Sequence, residues 1–486
     1  MTTRLSDLID GAQVGGDPEI VGVTADSRSV APGFLFAALP GTVVDGSAFV
    51  PQALKAGAAA ILSASLLPLA DVPVVVVSDV RRAYARAAVA FHGPPPKVCV
   101  AVTGTNGKTS VAVFCRQLFA HLGHASASLG TLGVTISRPD AADETLSGPG
   151  LTTPDAGELA RVAADLARRG VTRLVLEASS HGLDQRRLDG LTLKAAGFTN
   201  LSQDHLDYHG DMAAYRAAKL RLFDTLLPPG APAVLNADSP DAPAFARAAV
   251  RAGSPVMTVG ETGGLLRLLE RTPVGDGQRL RIVANGEEIE VVLPLAGAFQ
   301  ASNALVAAGL CIATGERAGE VVDALAQLKG APGRLQHVGQ GPRGGEAYVD
   351  FAHTPDGRKT VLSSLRAHAR GKLIVVFGAG GDRDRGKRPL MGATASALAD
   401  LVIVTDDNPR SEDPASIRAE VLAGAPEARD GGDRRSAIRQ GVEALREGDV
   451  LVVAGKGHEQ GQTIAGVVHS FDDAVELSRA LEAAHV

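Results

Sequence analysis

Tryptophan is absent from this chain of 486 residues, tyrosine occurs four times and cysteine only three times. The cysteines, Cys99, Cys115 and Cys311, lie far apart in apolar stretches. That excludes a disulfide framework or a cysteine-rich metal site and suits a reducing compartment. No apolar run approaches the ~20 residues a membrane-spanning helix needs, so no membrane partner is expected. The opening residues, MTTRLSDLIDGAQ, lack the apolar core of a signal peptide, and a cytoplasmic location is expected. A strong charge of one sign is missing too: 48 Lys and Arg face 54 Asp and Glu, for a net charge of −6. Such a chain has no global field to attract nucleic acid, so phosphate binding must come from local sites. The lack of tryptophan goes with abundant Ala, Gly, Arg and Pro, a compositional bias that points to no function.

Hydrophobic residues make up 45% of the chain and charged ones 21%, as in ordinary globular proteins. The length is too great for one core and predicts several domains. Residues 1–93 read as a small α/β unit, with strands at 34–39, 58–62 and 72–77 and a helix from Asp79 to Phe91 that stops near Gly93. Pro94-Pro95-Pro96 is a stiff linker. Residues 94–331 alternate strands and helices and predict a doubly wound sheet, up to a break at Gly330-Ala331-Pro332-Gly333. Residues 332–486 alternate again, with strands at 373–377, 401–405 and 450–454.

The densest signal is Val102-Thr103-Gly104-Thr105-Asn106-Gly107-Lys108-Thr109-Ser110. It follows an apolar strand, Val98 to Val102, and precedes a helix with Val111, Phe114, Leu118 and Leu122 on one face and Gly123 as its stop. Strand, glycine-rich turn, lysine, hydroxyl and helix form a phosphate cradle. Backbone N–H groups and a helix N-terminus meet the anion, Lys108 adds charge, and Thr109 can reach a magnesium ion. The loop is shorter at its start than the common P-loop, because Val102 stands where the first glycine would be.

The strand at 174–176 leads into Glu177, an oxygen ligand well placed for Mg²⁺ beside such a loop. Thr199 to His209 sets Asp204, His205, Asp207 and His209 within six residues. Capping and loop hydrogen bonding account for Asp207 and His209, while His205 is open to either a metal or a structural role. Lys219, alone on the helix from Tyr215 to Phe223, reads by pattern as a solvated surface charge. In the last segment the polar loops Gly380 to Arg383, Asp407 to Arg410 and Gly455 to Glu459 follow strands, so they should share one edge of the sheet, where open parallel sheets bind ligands.

With these motifs in order, the chain resembles the Mur ligase family, the ATP-dependent amide-forming enzymes of cell-wall precursor synthesis, and within it the members that add the third amino acid. The resemblance runs from Asp26-Ser27-Arg28 through GTNGKT, Leu151 to Pro154, EASSHGLDQRR, NLSQDHLDYH, Gly297 to Asn303, Pro332 to Gln336, Asp350 to Asp356, GGDRDRGKRPLM, DNPR and GKGHE. It implies three domains: a UDP-sugar-binding α/β domain (1–93), a central P-loop ATPase-like domain (94–331) and a Rossmann-like amino-acid-binding domain (332–486).

The resemblance further implies that Gly104, Thr105, Asn106, Gly107, Lys108, Thr109 and Ser110 hold the ATP phosphates. Thr109, Glu177, His205 and Lys219 would serve magnesium, with Lys219 carried as a carbamate (N6-carboxylysine). Asn303, Arg334 and His353 match nucleotide contacts, with Asp350 close by. Ser27, Thr152, Thr153, Ser179, Gln185 and Arg187 match contacts to the UDP-muramoyl dipeptide. Arg383, Asp407, Asn408, Arg410, Gly455 and Glu459 match the pocket for the incoming amino acid. The implied reaction phosphorylates the D-Glu γ-carboxylate of UDP-N-acetylmuramoyl-L-Ala-D-Glu, and an amine then attacks the acyl phosphate. Lys108 and magnesium would offset the repulsion between the two anions.

In the family this chain resembles, the DNPR form goes with meso-diaminopimelate, whose distal carboxylate suits the fork of Arg410, while Glu459 could take the distal ammonium. Gly461 stands where a bulkier residue is expected, and a wider pocket floor there would admit L-lysine or L-ornithine. A folylpolyglutamate synthetase-like ligase is the neighbouring alternative. A P-loop nucleotide switch finds no support, since no Asn-Lys-x-Asp guanine-reading motif is present. A monomer is expected.

Overall fold

The apolar run VCVAVT forms the strand Val98–Thr103, buried from Cys99 onward. A strand apolar on both faces belongs inside a parallel sheet. The computed structural model places it there, between the parallel strands Arg173–Glu177 and Ala195–Phe198. Residues 2–9, 13–14, 16–41, 44–67, 71–146 and 150–484 are described. The chain divides into two compact units, residues 1–267 with 305–321 and residues 268–304 with 322–486.

In the first unit the central strands run Glu144–Leu146, Gly133–Ser137, Ser126–Gly130, Arg173–Glu177, Val98–Thr103, Ala195–Phe198, Ala233–Asn236, Val256–Gly260. The six from Ser126–Gly130 onward pair in parallel, and the two outer strands add an antiparallel edge. Leu159, Ala163 and Leu166 of the helix Ala156–Arg168 and Phe245 of Ala242–Arg251 fill the core against Leu174, Leu176 and Phe198. A smaller sheet of order Gln13–Val14, Val74–Val76, Ala60–Ser63, Phe34–Ala37, Gly22–Thr24 lies in the same unit. Its helix Val80–His92 starts where Asp79 Oδ1 accepts from Arg82 N at 3.0 Å and stops at Gly93, whose φ is +99°. Tyr84 on that helix donates to Asp155 Oδ1 at 2.9 Å, the N-cap residue of Ala156–Arg168.

The second unit carries the sheet Gln336–Gln340, Glu346–Asp350, Val450–Ala454, Leu373–Phe377, Leu401–Thr405, Arg429–Gly432, parallel except for its first strand. The strands expected at 373–377, 401–405 and 450–454 occur with those bounds. The strict strand–helix alternation expected up to residue 331 does not hold. Gly277–Ala284 and Glu287–Leu293 form an antiparallel hairpin. Asn285 and Gly286 both take positive φ, 52° and 85°, the mirror-turn geometry that an Asn-Gly pair favours between strands.

The cysteines are free and buried, and two of them are not distant. Cys115 and Cys311 bring their sulfurs to 3.7 Å, a contact between thiols and far longer than the about 2 Å of a disulfide bond. No helix among the described residues is long and apolar enough to cross a membrane.

Candidate active site

The turn after Val98–Thr103 needs two glycines. Gly104 has φ +153° and a Cβ there would overlap Thr199 Oγ1, while Gly107 is left-handed at φ +87° where the helix Lys108–His121 begins. The neighbouring segment 199–202 clamps the loop. Thr105 N donates to Asn200 O at 2.8 Å, Asn106 N to Asn200 Oδ1 at 3.0 Å, and Thr199 Oγ1 to Asn106 O at 2.6 Å. Lys108 Nζ folds back onto the carbonyls of Gly104 and Thr105, both at 2.8 Å.

Thr109 Oγ1 donates to Glu177 Oε2 at 2.9 Å, and Glu177 is 2% exposed at the end of its strand. Thr131, which the sequence reading did not single out, binds the same carboxylate through its N at 2.8 Å and its Oγ1 at 3.2 Å. Its hydroxyl also meets Thr152 Oγ1 at 3.0 Å. The only available signal was its place, just past the strand Ser126–Gly130 next to the strand that carries Glu177.

Lys219 is not the solvated charge its helical pattern suggested. It is 1% exposed, donates to Gly104 O at 2.8 Å, and sits 4.5 Å from the centre of the Tyr215 ring. Burial, and behind it the charge of Lys108, push this amine well below the ordinary lysine range. Its helix also departs from expectation: Met212–Arg221 passes into one π-helical turn, Leu222–Leu226.

His205 stands at φ +52° with a half-exposed side chain, its Nε2 3.5 Å from Asp204 Oδ2 and its ring 4.9 Å from that of His181. Among the described residues no hydrogen bond joins it to Thr109, Glu177 or Lys219. The capping expected of Asp207 and His209 is done instead by Asp211, whose Oδ1 accepts from Ala214 N at 2.8 Å. The His209 ring lies tilted against that of Tyr215, centroids 5.3 Å apart, and its buried Nε2 has no partner among the described residues. Three or more His, Cys, Asp or Glu side chains converge nowhere among the described residues to cage a metal. The oxygens of Thr109 and Glu177 do fit Mg²⁺, which prefers oxygen and commonly completes its shell with water and substrate phosphates.

The residues matched to the muramoyl dipeptide are joined to one another. Thr153 Oγ1 donates to Glu177 O at 2.7 Å and lies 2.9 Å from Ser179 Oγ, which in turn accepts from Gly182 N at 3.0 Å. Arg187 donates to Thr153 O at 2.5 Å and to Gln185 Oε1 at 2.7 Å. Gln185 and Arg187 share a cavity of about 830 Å³ with Ser27, Arg28, Arg81 and Tyr84. Ser27 Oγ there donates to Gln52 Oε1 at 3.2 Å.

In the second unit Asn303 is 5% exposed and donates to Gln300 Oε1 at 3.2 Å, and Gln300 donates to Arg334 O at 2.8 Å. The Arg334 guanidinium lies 4.4 Å over the Phe351 ring, and His353 meets that ring edge-on at 4.6 Å. The adjacent Asp350 is buried and accepts from Leu335 N and Ala352 N, each at 2.7 Å. Burial raises its carboxyl and Arg334 opposes that rise. Phe351, at the centre of this group, was not expected.

The loops Gly380 to Arg383, Asp407 to Arg410 and Gly455 to Glu459 do meet at one sheet edge. Gly455 N donates to Asp350 O at 3.0 Å, and a Cβ on Gly455 would lie 2.6 Å from Asp407 Oδ2. Asn408 Nδ2 donates to Glu459 Oε2 at 3.0 Å. Arg383 is exposed. Arg410 is half-buried, left-handed at φ +54°, and donates through Nη1 to Gly381 O at 2.5 Å, so it has a protein partner whatever the substrate carries. At Gly461 the Cβ direction faces a neighbouring side chain. A Cβ there would come within 2.8 Å of Val468 Cγ1, from the strand paired with it.

Three family models match the chain: Mur ligase family, catalytic domain, over residues 19–92; Mur ligase middle domain over 102–311; and Mur ligase, glutamate ligase domain, over 333–457. A protein of Caulobacter vibrioides named UDP-N-acetylmuramoyl-L-alanyl-D-glutamate--2,6-diaminopimelate ligase is 66% identical over 483 residues, 99% of each chain. One of the same name from Brucella melitensis is 52% identical over 470 residues, 96% of this chain and 95% of that one. A solved structure of a protein of that name matches with a TM-score of 0.76 and 35% identity over 100% of both chains.

Proposed function

Because the chain belongs to the Mur ligase family, with its three-domain α/β fold, we propose that it is the ATP-dependent ligase that joins meso-diaminopimelate to the D-Glu γ-carboxylate of UDP-N-acetylmuramoyl-L-Ala-D-Glu. The structural observation that favours a ligase over a nucleotide switch is the amine held under the glycine-rich loop. Lys219 is buried, close to Lys108 and driven toward its neutral form. A nucleotide switch has no use for such an amine. An enzyme that carries a lysine carbamate does, because only a neutral amine attacks CO₂, losing a proton as the N–C bond forms.

Gly104 to Ser110 hold the triphosphate, with Asn303, Arg334 and His353 on the rest of the nucleotide. Thr109, Glu177, His205 and a carbamate on Lys219 would hold magnesium, which would supply positive charge to offset the phosphates. Ser27, Thr152, Thr153, Ser179, Gln185 and Arg187 position the UDP-muramoyl dipeptide, so that its γ-carboxylate meets the γ-phosphate near Lys108. Arg383, Asp407, Asn408, Arg410, Gly455 and Glu459 hold the diamino acid. Arg410 offers the N–H groups it does not spend on Gly381 to the distal carboxylate, and Glu459 receives the distal ammonium. Because a Cβ on Gly461 would meet Val468, the glycine is accounted for by that contact, and the names of the relatives favour diaminopimelate over L-lysine or L-ornithine.

The domains lie at 1–93, 94–331 and 332–486, a division supported by the Pro94-Pro95-Pro96 linker and by the break at Gly330 to Gly333. The reading carries with it a monomeric, cytoplasmic enzyme of cell-wall precursor synthesis that uses no nucleic acid. The test is phosphate release from ATP, Mg²⁺ and UDP-N-acetylmuramoyl-L-Ala-D-Glu with meso-diaminopimelate, L-lysine and L-ornithine supplied separately. Release with diaminopimelate alone is expected. Release with only lysine or ornithine overturns the choice of amino acid, and release with none overturns the ligase assignment.

A further inference from the structure

Lys456 lies in the loop Gly455 to Glu459, yet neither pattern nor resemblance gave it a role. Its side chain is completely buried. An ammonium has three N–H donors, and three acceptors surround this one: Gly461 O at 2.5 Å, Glu459 Oε2 at 3.0 Å and Asn408 Oδ1 at 3.4 Å. Those acceptors come from two separate pieces of chain: Asn408 from the loop after Leu401–Thr405, and Glu459 and Gly461 from the segment that runs from Val450–Ala454 into the hairpin strand Gly461–Ile464. Asn408 closes the ring, giving Nδ2 to Glu459 Oε2 at 3.0 Å and accepting from Thr463 N at 2.9 Å.

The ammonium is therefore spent on the protein and cannot itself grip a ligand. Its consequence falls on Glu459, whose side chain is 39% exposed although one carboxylate oxygen is held by two donors. An exposed glutamate ordinarily samples several rotamers, and ordering it costs entropy at the moment of binding. Here that ordering is already done. Among the described residues Oε1 has no protein donor, which leaves it for a cation from outside.

We propose that Lys456 is a positioning residue that presets Glu459 as the receptor for the distal ammonium of the incoming diamino acid, and so sets the preference for a substrate carrying that group. This rests on the ligase reading above.

The test compares wild type, Lys456→Met, Glu459→Gln and the double variant by phosphate release. Each is assayed with meso-diaminopimelate and with 2-aminopimelate, which keeps both carboxylates but lacks the distal ammonium. Lys456→Met is expected to lower the ratio of kcat/KM for the two acids by about tenfold or more, chiefly through KM of diaminopimelate. KM for ATP should move less than about twofold, which a general loosening of the fold would not give. Adding Lys456→Met to Glu459→Gln should lower the ratio no further, since the lysine acts through the glutamate. An unchanged ratio in Lys456→Met, or a further loss in the double variant, overturns the proposal. If Lys456→Met does not fold, Glu459→Gln decides alone, and unchanged discrimination there overturns it as well. A wild-type protein inactive with every diamino acid overturns the ligase reading and this proposal together, so the two failures are told apart.

Discussion

Lys108 and Lys219 donate to one and the same oxygen, the carbonyl of Gly104, each at 2.8 Å. Two ammonium groups that share an acceptor repel each other, and burial raises the cost for the one inside. Lys108 is half-buried and Lys219 almost wholly so, hence it is the Lys219 amine that burial, and then the Lys108 charge, lower well below the ordinary lysine range. One carbonyl thus joins the lysine proposed to meet phosphate to the lysine proposed as the carbamate.

Replacing Lys219 should separate binding from chemistry. Lys219→Ala is expected to lower kcat by about 100-fold or more, the order seen when one group that stabilises transition-state charge is removed. The dissociation constant for ATP, measured by calorimetry, should change little. Lys219→Arg keeps a cation but cannot form the carbamate, so it should be as inactive. Full activity in either variant rejects the carbamate.

Arg410 is expected to govern the choice of amino acid. Arg410→Ala should reduce kcat/KM for meso-diaminopimelate by about 10²-fold, in line with loss of a charge-assisted hydrogen bond worth roughly 1.5–3 kcal/mol. Arg410→Lys should recover only part of it, because a point charge lacks the fork. Side-by-side kinetics with L-lysine would expose an error: an unchanged ratio between the two amino acids removes Arg410 from the specificity pocket.

Gly104→Ala tests the loop itself. Its φ of +153° is one that L side chains rarely adopt, and the new Cβ would overlap Thr199 Oγ1 while its neighbours hold Asn200. Weakened nucleotide affinity together with a lower melting temperature is expected. Gly123→Ala, also at positive φ but with open space around it, should leave nucleotide affinity as it is.

Acid should destabilise the protein partly through His458. Burial, and then the Arg334 charge, lower this imidazole from the usual 6.5 to about 4. Between those values the unfolded chain binds a proton that the folded one refuses, so stability falls as pH drops from about 6.5 toward 4. The drop in melting temperature between pH 7.5 and pH 5 should be smaller in His458→Gln. It will not vanish, because His92, His181, His209 and His368 are lowered by burial too. An equal drop in both proteins would mean that His458 is not among the groups responsible.

The glycine-rich turn and the helix that follows it were legible because their signal is local. Gly104, Gly107, Lys108 and Thr109 are set by a turn and a helix start within six residues, and backbone preference acts over that range. Strands buried on both faces, such as Leu373–Phe377 and Val450–Ala454, were legible for a similar reason, since each is one uninterrupted apolar run. The hairpin at 277–293 was overlooked although Asn285-Gly286 marks its turn, because the strands around it are largely polar on one face.

The amino-acid sequence by itself determined the buried parallel strands of the second unit, the glycine-rich turn at 104–109 with the helix start that follows it, and the polar loops that end those strands. These follow from hydrophobic period and from the φ values that particular residues tolerate. Only the tertiary structure decided that Lys219 and Lys456 are buried, that Thr131 binds Glu177, that Cys115 touches Cys311 and that a Cβ on Gly461 would meet Val468. In each case the deciding quantity is solvent exposure or a contact between segments distant in sequence or paired across strands. No local pattern encodes either, because a lysine on a helix has the same sequence signature whether it faces water or the underside of a loop.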